Sequence, residues 1–75
     1  MRAHRRYNPG TGYVLNRGLP SGKRPDAVDY ANHIVRELKP NNPDAIARGW
    51  DQLYGHIKEL ASIYGGIWQG VVDVY

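Results

Sequence analysis

The segment from Asn42 to Gly66 constrains this chain more than any other, because it carries a complete set of helix signals. Asn42 can cap a helix through its side chain, and Pro43 fits the first helical position. Asp44 then suits the positive end of the helix dipole. Ile46, Ala47, Trp50, Leu53, Tyr54, Ile57, Leu60, Ala61 and Tyr64 recur at three- and four-residue spacing. Gly65-Gly66 supplies the stop. Such an apolar stripe is expected to pack on a sheet. Trp50, Tyr54 and Tyr64 are accordingly expected in the core rather than as platforms for stacking bases.

The remaining segments read as short strands. One centres on Tyr13-Val14-Leu15 within residues 11–19, bounded by Gly12 and Gly18, and Pro20-Ser21-Gly22 marks a turn after it. Strands are expected over about 23–30 and 33–39, and a last one over 67–75. Pro25 has no amide hydrogen and belongs at a strand start or edge. The order β-β-β-α-β predicts an α/β domain: a small mixed sheet with one main helix packed on it. Residues 1–10 read as a basic irregular arm ending in the turn signal Asn8-Pro9-Gly10, and residues 11–75 as one domain. There is no internal repeat and no low-complexity tract.

At 75 residues the chain is one small domain. A domain near this size buries only about 60% of its unfolded surface, so a partner, a homodimer or a neighbouring segment is expected to help it. The absence of cysteine excludes disulfides and thiolate metal sites. No apolar run is long enough to span a membrane, and the charged start lacks the apolar stretch of a signal peptide. Charge is uneven. Arg2, Arg5, Arg6, Arg17, Lys23 and Arg24 fall before residue 26 with no acid among them, while all seven acids follow. A basic front of this kind is either a contact for a polyanion such as nucleic acid or a solubilising arm.

The chemistry sits in Arg24-Pro25-Asp26-Ala27-Val28-Asp29 and Ile34-Val35-Arg36-Glu37-Leu38-Lys39. If these fold back as a hairpin about Ala31 and Asn32, Val28 falls opposite Val35, Asp26 opposite Glu37 and Arg24 opposite Lys39. Opposed β-carbons lie roughly 4.5–5.5 Å apart, and two carboxylates that close repel unless a cation sits between them. Mg²⁺ needs only one or two protein carboxylates. Lys39 is two residues on from Glu37 and shares its face. Asp29 competes with Asp26 as a ligand; alternation puts it on the opposite face, and a bulge there would reverse that choice. The plain alternative is a solvated face with cross-strand salt bridges. Against it stand the like charges placed opposite one another, the position of the cluster beyond an apolar Val28–Val35 pair, and the helix start close by. His4, His33 and His56 share no metal spacing, and His33 and His56 are expected at the surface or its boundary. No Ser-His-Asp set and no glycine-rich phosphate loop is visible.

Pro25-Asp26, ten intervening residues, then Glu37-Leu38-Lys39 resembles the signature of the PD-(D/E)XK nuclease superfamily, which has the restriction-endonuclease-like fold. The β-β-β-α-β order is similar to its common core, and Gln52 resembles a glutamine that many members carry in the following helix. The longer strings Arg-Pro-Asp-Ala-Val-Asp, Arg-Glu-Leu-Lys-Pro-Asn-Asn-Pro and Gly49-Trp50-Asp51-Gln52-Leu53 resemble the restriction-endonuclease-fold toxin domains at the C-terminal ends of bacterial polymorphic toxins. The match spans roughly residues 11–75.

The resemblance implies a metal-dependent nuclease that hydrolyses phosphodiester bonds, with DNA favoured over RNA. Asp26 and Glu37 would hold Mg²⁺ or Mn²⁺, with the Leu38 carbonyl completing the shell. Lys39 would orient or deprotonate the attacking water, and Gln52 would orient the site. Arg5, Arg6, Arg17, Lys23 and Arg24 would hold the nucleic acid through its phosphates. A cognate immunity protein is an implied partner, and delivery within a larger bacterial toxin with a cytoplasmic site of action is the implied setting. Members usually carry a helix before the first strand, often with another acid; the first ten residues here have neither an acid nor a helical pattern. The alternatives are a catalytically inactive module of this fold that binds nucleic acid or protein, and an interaction domain in which the cluster is structural.

Overall fold

In the computed structural model, which describes residues 6–75, the Asn42 side chain accepts the Ala45 amide hydrogen at 2.9 Å and opens a helix. This helix, α1, runs Pro43–Tyr64. Gly65 closes it with a φ of +73°, and its N–H donates to the Ala61 carbonyl at 2.8 Å. Four strands accompany α1: β1 (Val14–Leu15), β2 (Ala27–Asp29), β3 (Ile34–Lys39) and β4 (Gln69–Val74). They form one sheet in the order β1-β2-β3-β4. β1 pairs antiparallel with β2 and β2 with β3, whereas β4 lies parallel to β3 after the α1 crossover. The fold is the expected small mixed α/β sheet with one main helix packed on it among the described residues.

The β2–β3 register sets Val28 against Val35, as the hairpin reading predicts. Asp29 closes the turn: its carboxylate accepts the Asn32 backbone N–H at 3.0 Å and the Asn32 side-chain amide at 2.8 Å. These bonds, the side-chain one foremost, hold the Asp29 carboxyl below its ordinary pKa. Asp29 is thus a turn residue, with its carboxylate committed to Asn32.

The strands are shorter than expected. β2 begins at Ala27, so Arg24 is not paired with Lys39 and Asp26 lies just outside the ladder. The helix stripe also differs. Ala45, Gly49, Leu53, His56 and Leu60 are the buried positions of α1, whereas Trp50, Tyr54 and Tyr64 are 51%, 68% and 59% exposed. The cause is a close helix–sheet approach at small residues. A β-carbon at Gly49 would lie 3.0 Å from Lys39 Cγ and 3.3 Å from Val72 Cγ2, and one at Gly70 would lie 3.1 Å from Ile57 Cδ1. The helix settles on that edge and turns its aromatic side outward.

Leu19, Val28, Val35, Leu53, Leu60 and Trp68 form the core, with Tyr30, Ile57, Ala61 and Val72 packed around it. Trp68 stacks on His33 with ring centroids 4.1 Å apart. On the face away from α1, Arg36 pairs with Asp73 at 2.9 Å and donates to the Tyr13 hydroxyl at 2.9 Å. The Tyr7 hydroxyl donates to the same Asp73 carboxylate. Burial first, then that bond, keeps the Tyr7 hydroxyl protonated well beyond its ordinary range.

Candidate functional site

The hairpin splays open where Pro25, which has no N–H to give, is followed by Asp26. Two carboxylates occupy the split. The Asp26 N–H donates to Glu37 Oε2 at 2.7 Å, and the Leu38 N–H donates to Asp26 Oδ2 at 2.7 Å. Each acid therefore takes an amide of the opposite segment. Buried amides need a partner, and here the side chains replace the missing rungs of the ladder. The Asp26 carbonyl in turn accepts the Asn16 N–H at 3.2 Å, which ties the same point to the chain beyond β1.

Glu37 is only 4% exposed. Its other oxygen, Oε1, faces His56 Nε2 at 3.7 Å, across a gap too long for a hydrogen bond. His56 is also 4% exposed, and its Nδ1 is buried without a hydrogen-bond partner among the described residues. The expectation of a surface or boundary histidine is overturned: the close approach of α1 to the sheet at Gly49 and Gly70 carries His56 inward, against Glu37. Gln52 precedes it by one helical turn, so both reach the same face. That spacing, with Leu53 and Leu60 alongside, was the available signal for His56.

Glu37, His56, Gln52, Lys23 and Arg24 line an open pocket of about 340 Å³, a volume in the range of small-ligand sites. The β1–β2 loop brings the two cations there. Leu19 plugs the loop into the core. The Leu19 N–H donates to the Lys23 carbonyl at 2.8 Å. Glu59 of α1 accepts both the Ser21 N–H (2.8 Å) and the Ser21 hydroxyl (2.6 Å). The hydroxyl bond above all holds the Glu59 carboxyl below its ordinary pKa. Lys23 Nζ lies against α1 at Gly55, 2.9 Å from where a β-carbon would stand.

The structure thus brings Asp26, Glu37 and the Leu38 N–H together, with Gln52, Lys23 and Arg24 at the adjoining pocket. Lys39 shares the face of Glu37 by strand alternation, and its stem runs beside Gly49. Arg6 is exposed in the arm, and Arg17 is exposed and lines a second pocket. Arg5 and His4 lie outside the described residues, as does most of the segment where a preceding helix would fall. No group of three or more His, Asp or Glu side chains arranged for a metal occurs among the described residues. The donor set is a pair of hard carboxylates, which suits a largely hydrated Mg²⁺ rather than an all-protein cage.

Fold and site together define a small α/β domain whose carboxylate pair sits at the mouth of a split hairpin. The chain belongs to the family described as Restriction endonuclease fold toxin 9, whose model matches residues 1–75. Membership makes it a toxin domain of restriction-endonuclease fold, which fits delivery as part of a larger toxin. Searches of curated proteins and of solved structures found no match. No helix among the described residues is long and apolar enough to cross a membrane.

Proposed function

We propose that this toxin domain is a divalent-metal-dependent nuclease that hydrolyses phosphodiester bonds of nucleic acid, with DNA favoured over RNA. One observation carries the reading: at the hairpin split Glu37 accepts the Asp26 N–H and Asp26 accepts the Leu38 N–H, beside a pocket lined by Lys23, Arg24, Gln52 and His56. Asp26 and Glu37 would hold Mg²⁺ or Mn²⁺, with the Leu38 carbonyl as a further ligand. When bound, such a cation lowers the pKa of a water and polarises a phosphoryl oxygen.

The chain's own residues do the rest. The amide bonds fix both carboxylates, so little order remains to be imposed when substrate arrives. Lys39 orients the attacking water and offsets charge on the phosphate, a task that suits a compact ammonium. Lys23 and Arg24 hold the scissile phosphate's neighbourhood through charge, without reading sequence. Gln52 orients the substrate backbone. A cognate immunity protein and a cytoplasmic site of action belong to the same proposal.

The test is digestion of plasmid DNA and of RNA with Mg²⁺, Mn²⁺ or EDTA, using wild type and the folded variants Asp26→Ala, Glu37→Ala and Lys39→Ala. Cleavage should need the cation and fall at least about a hundredfold in each variant, as loss of a charge-stabilising group commonly costs. Cleavage that persists in EDTA, or in Glu37→Ala, refutes the mechanism. Retained binding with no cleavage by wild type would favour the inactive binding module.

A further inference from the structure

A second pocket, of about 420 Å³, is lined by Arg17, Gly18, Leu19 and Pro20 of the β1–β2 loop together with Tyr30 and Tyr64. Tyr64 was expected in the core, yet it is 59% exposed. It is nonetheless held. Tyr30 meets it edge-on with centroids 5.5 Å apart at 71°, and Trp68 lies 6.2 Å away at 47°. Two aromatic neighbours therefore hold the ring while much of the residue stays exposed. Arg17 is exposed at the same pocket, close enough for its charge to act on the Tyr30 hydroxyl. No acid lines the pocket.

We propose that this pocket is a nucleobase-stacking subsite for an unpaired stretch of nucleic acid, with Tyr64 as the platform and Arg17 as the contact to the adjoining phosphate. Aromatic faces bind bases of any sequence, and a cation beside them tracks the backbone. Bases inside a duplex have both faces covered, so the ligand is single-stranded or locally opened. The placement relative to the first pocket fits one continuous strand. The same loop supplies Arg17 to the second pocket and Lys23 and Arg24 to the first. Gln52 and His56 line the first pocket and Tyr64 the second, all on α1. At 1.5 Å per residue the two are about 12–18 Å apart along the helix axis. About four to five nucleotides at a helical rise of 3.4 Å cover that span, and fewer when extended. The link to the first pocket rests on the nuclease reading; the stacking subsite itself does not.

The experiment measures binding of a short fluorescein-labelled single-stranded DNA by anisotropy in EDTA, using the full chain. Variants are Tyr64→Ala, Tyr64→Phe and Lys23→Ala. A second series moves a single abasic site along the oligonucleotide. Tyr64→Ala should weaken binding about 5- to 100-fold, the range of a lost base–aromatic stack, and Tyr64→Phe should bind as wild type. One abasic position should weaken wild type and leave Tyr64→Ala unchanged, and affinity for the matching duplex should not depend on Tyr64. Equal binding by Tyr64→Ala and wild type, or indifference to every abasic position, overturns the subsite, as does failure of wild type to bind at all. Digestion in Mg²⁺ reports separately. Tyr64-dependent binding without cleavage keeps the subsite and removes the nuclease; cleavage without Tyr64 dependence does the reverse.

Discussion

Replacing Glu37 separates chemistry from folding, because its two oxygens have different tasks. Oε2 accepts the Asp26 N–H at 2.7 Å, and Oε1 faces His56 at 3.7 Å. In Glu37→Ala the Asp26 N–H loses its acceptor at a buried strand split. An unsatisfied buried donor costs ~1–3 kcal/mol. Relief from burying a charge offsets part of this, so the expected net loss is about 1–2 kcal/mol. A domain of this size loses about 4–8 °C in Tm per kcal/mol, so Glu37→Ala should melt about 4–16 °C lower. Glu37→Gln keeps an amide oxygen where Oε2 stands and should stay within about 1 kcal/mol of wild type. Both variants should lose cleavage, because neither carries the charge. Thermal melts followed by circular dichroism, paired with plasmid digestion at rising Mg²⁺, read the two effects apart. If Glu37→Gln melts with Glu37→Ala, Oε2 is not the acceptor that matters. If Glu37→Gln cleaves like wild type, the carboxylate is not a metal ligand.

Two further outcomes follow from the contacts around this site. Gly49→Ala gains about 1 kcal/mol of helix propensity but drives a methyl to 3.0 Å from Lys39 Cγ and 3.3 Å from Val72 Cγ2. Overpacking of that kind costs ~1–3 kcal/mol, so urea titration should find the variant no more stable, and up to about 2 kcal/mol less stable; a clear gain would refute the close approach. Glu59→Gln tests the loop clamp by pH. The Ser21 bonds lower the folded carboxyl's pKa, so the stability they add is present above the ordinary glutamate range and is lost as pH falls through the lowered value. The gap in Tm between wild type and Glu59→Gln should be open at neutral pH and close in acid; a gap that widens in acid counts against the clamp.

The sequence made the register legible and left the strand ends hidden. Val28 and Val35 are apolar positions on facing strands with four residues between the strand ends, and that pattern admits one pairing. Where the ladder stops is a different question. It depends on Pro25 withholding an N–H and on two carboxylates taking over the amides, which no period-two pattern records. The cap at Asn42 and the stop at Gly65 were legible because each is a local rule. The buried side of α1 was not. Counting apolar residues favours Trp50, Tyr54 and Tyr64, but the helix turned toward the positions where two chains can come closest. Gly49 and Gly70 decided the matter, and with it the burial of His56 and the exposure of the aromatic face.

The carboxylate pair has a structural task beside the catalytic one proposed for it. An acid committed to a backbone amide could be purely structural, and the split hairpin gives both acids such a commitment. An ionised carboxylate, however, offers about four lone-pair sites on two oxygens. One amide bond uses a single site and fixes the group's plane. For Glu37 the second oxygen points toward α1, where His56 and Gln52 line the pocket. In the proposed mechanism, structural service on one oxygen leaves the other for a cation. A salt bridge built for stability would instead close on a guanidinium, as Asp73 does with Arg36 on the opposite face of the sheet. Both kinds of acid occur on this one sheet. At the split, Glu37 shares an open pocket with Lys23 and Arg24, which come from a loop that Ser21 and Glu59 hold in place.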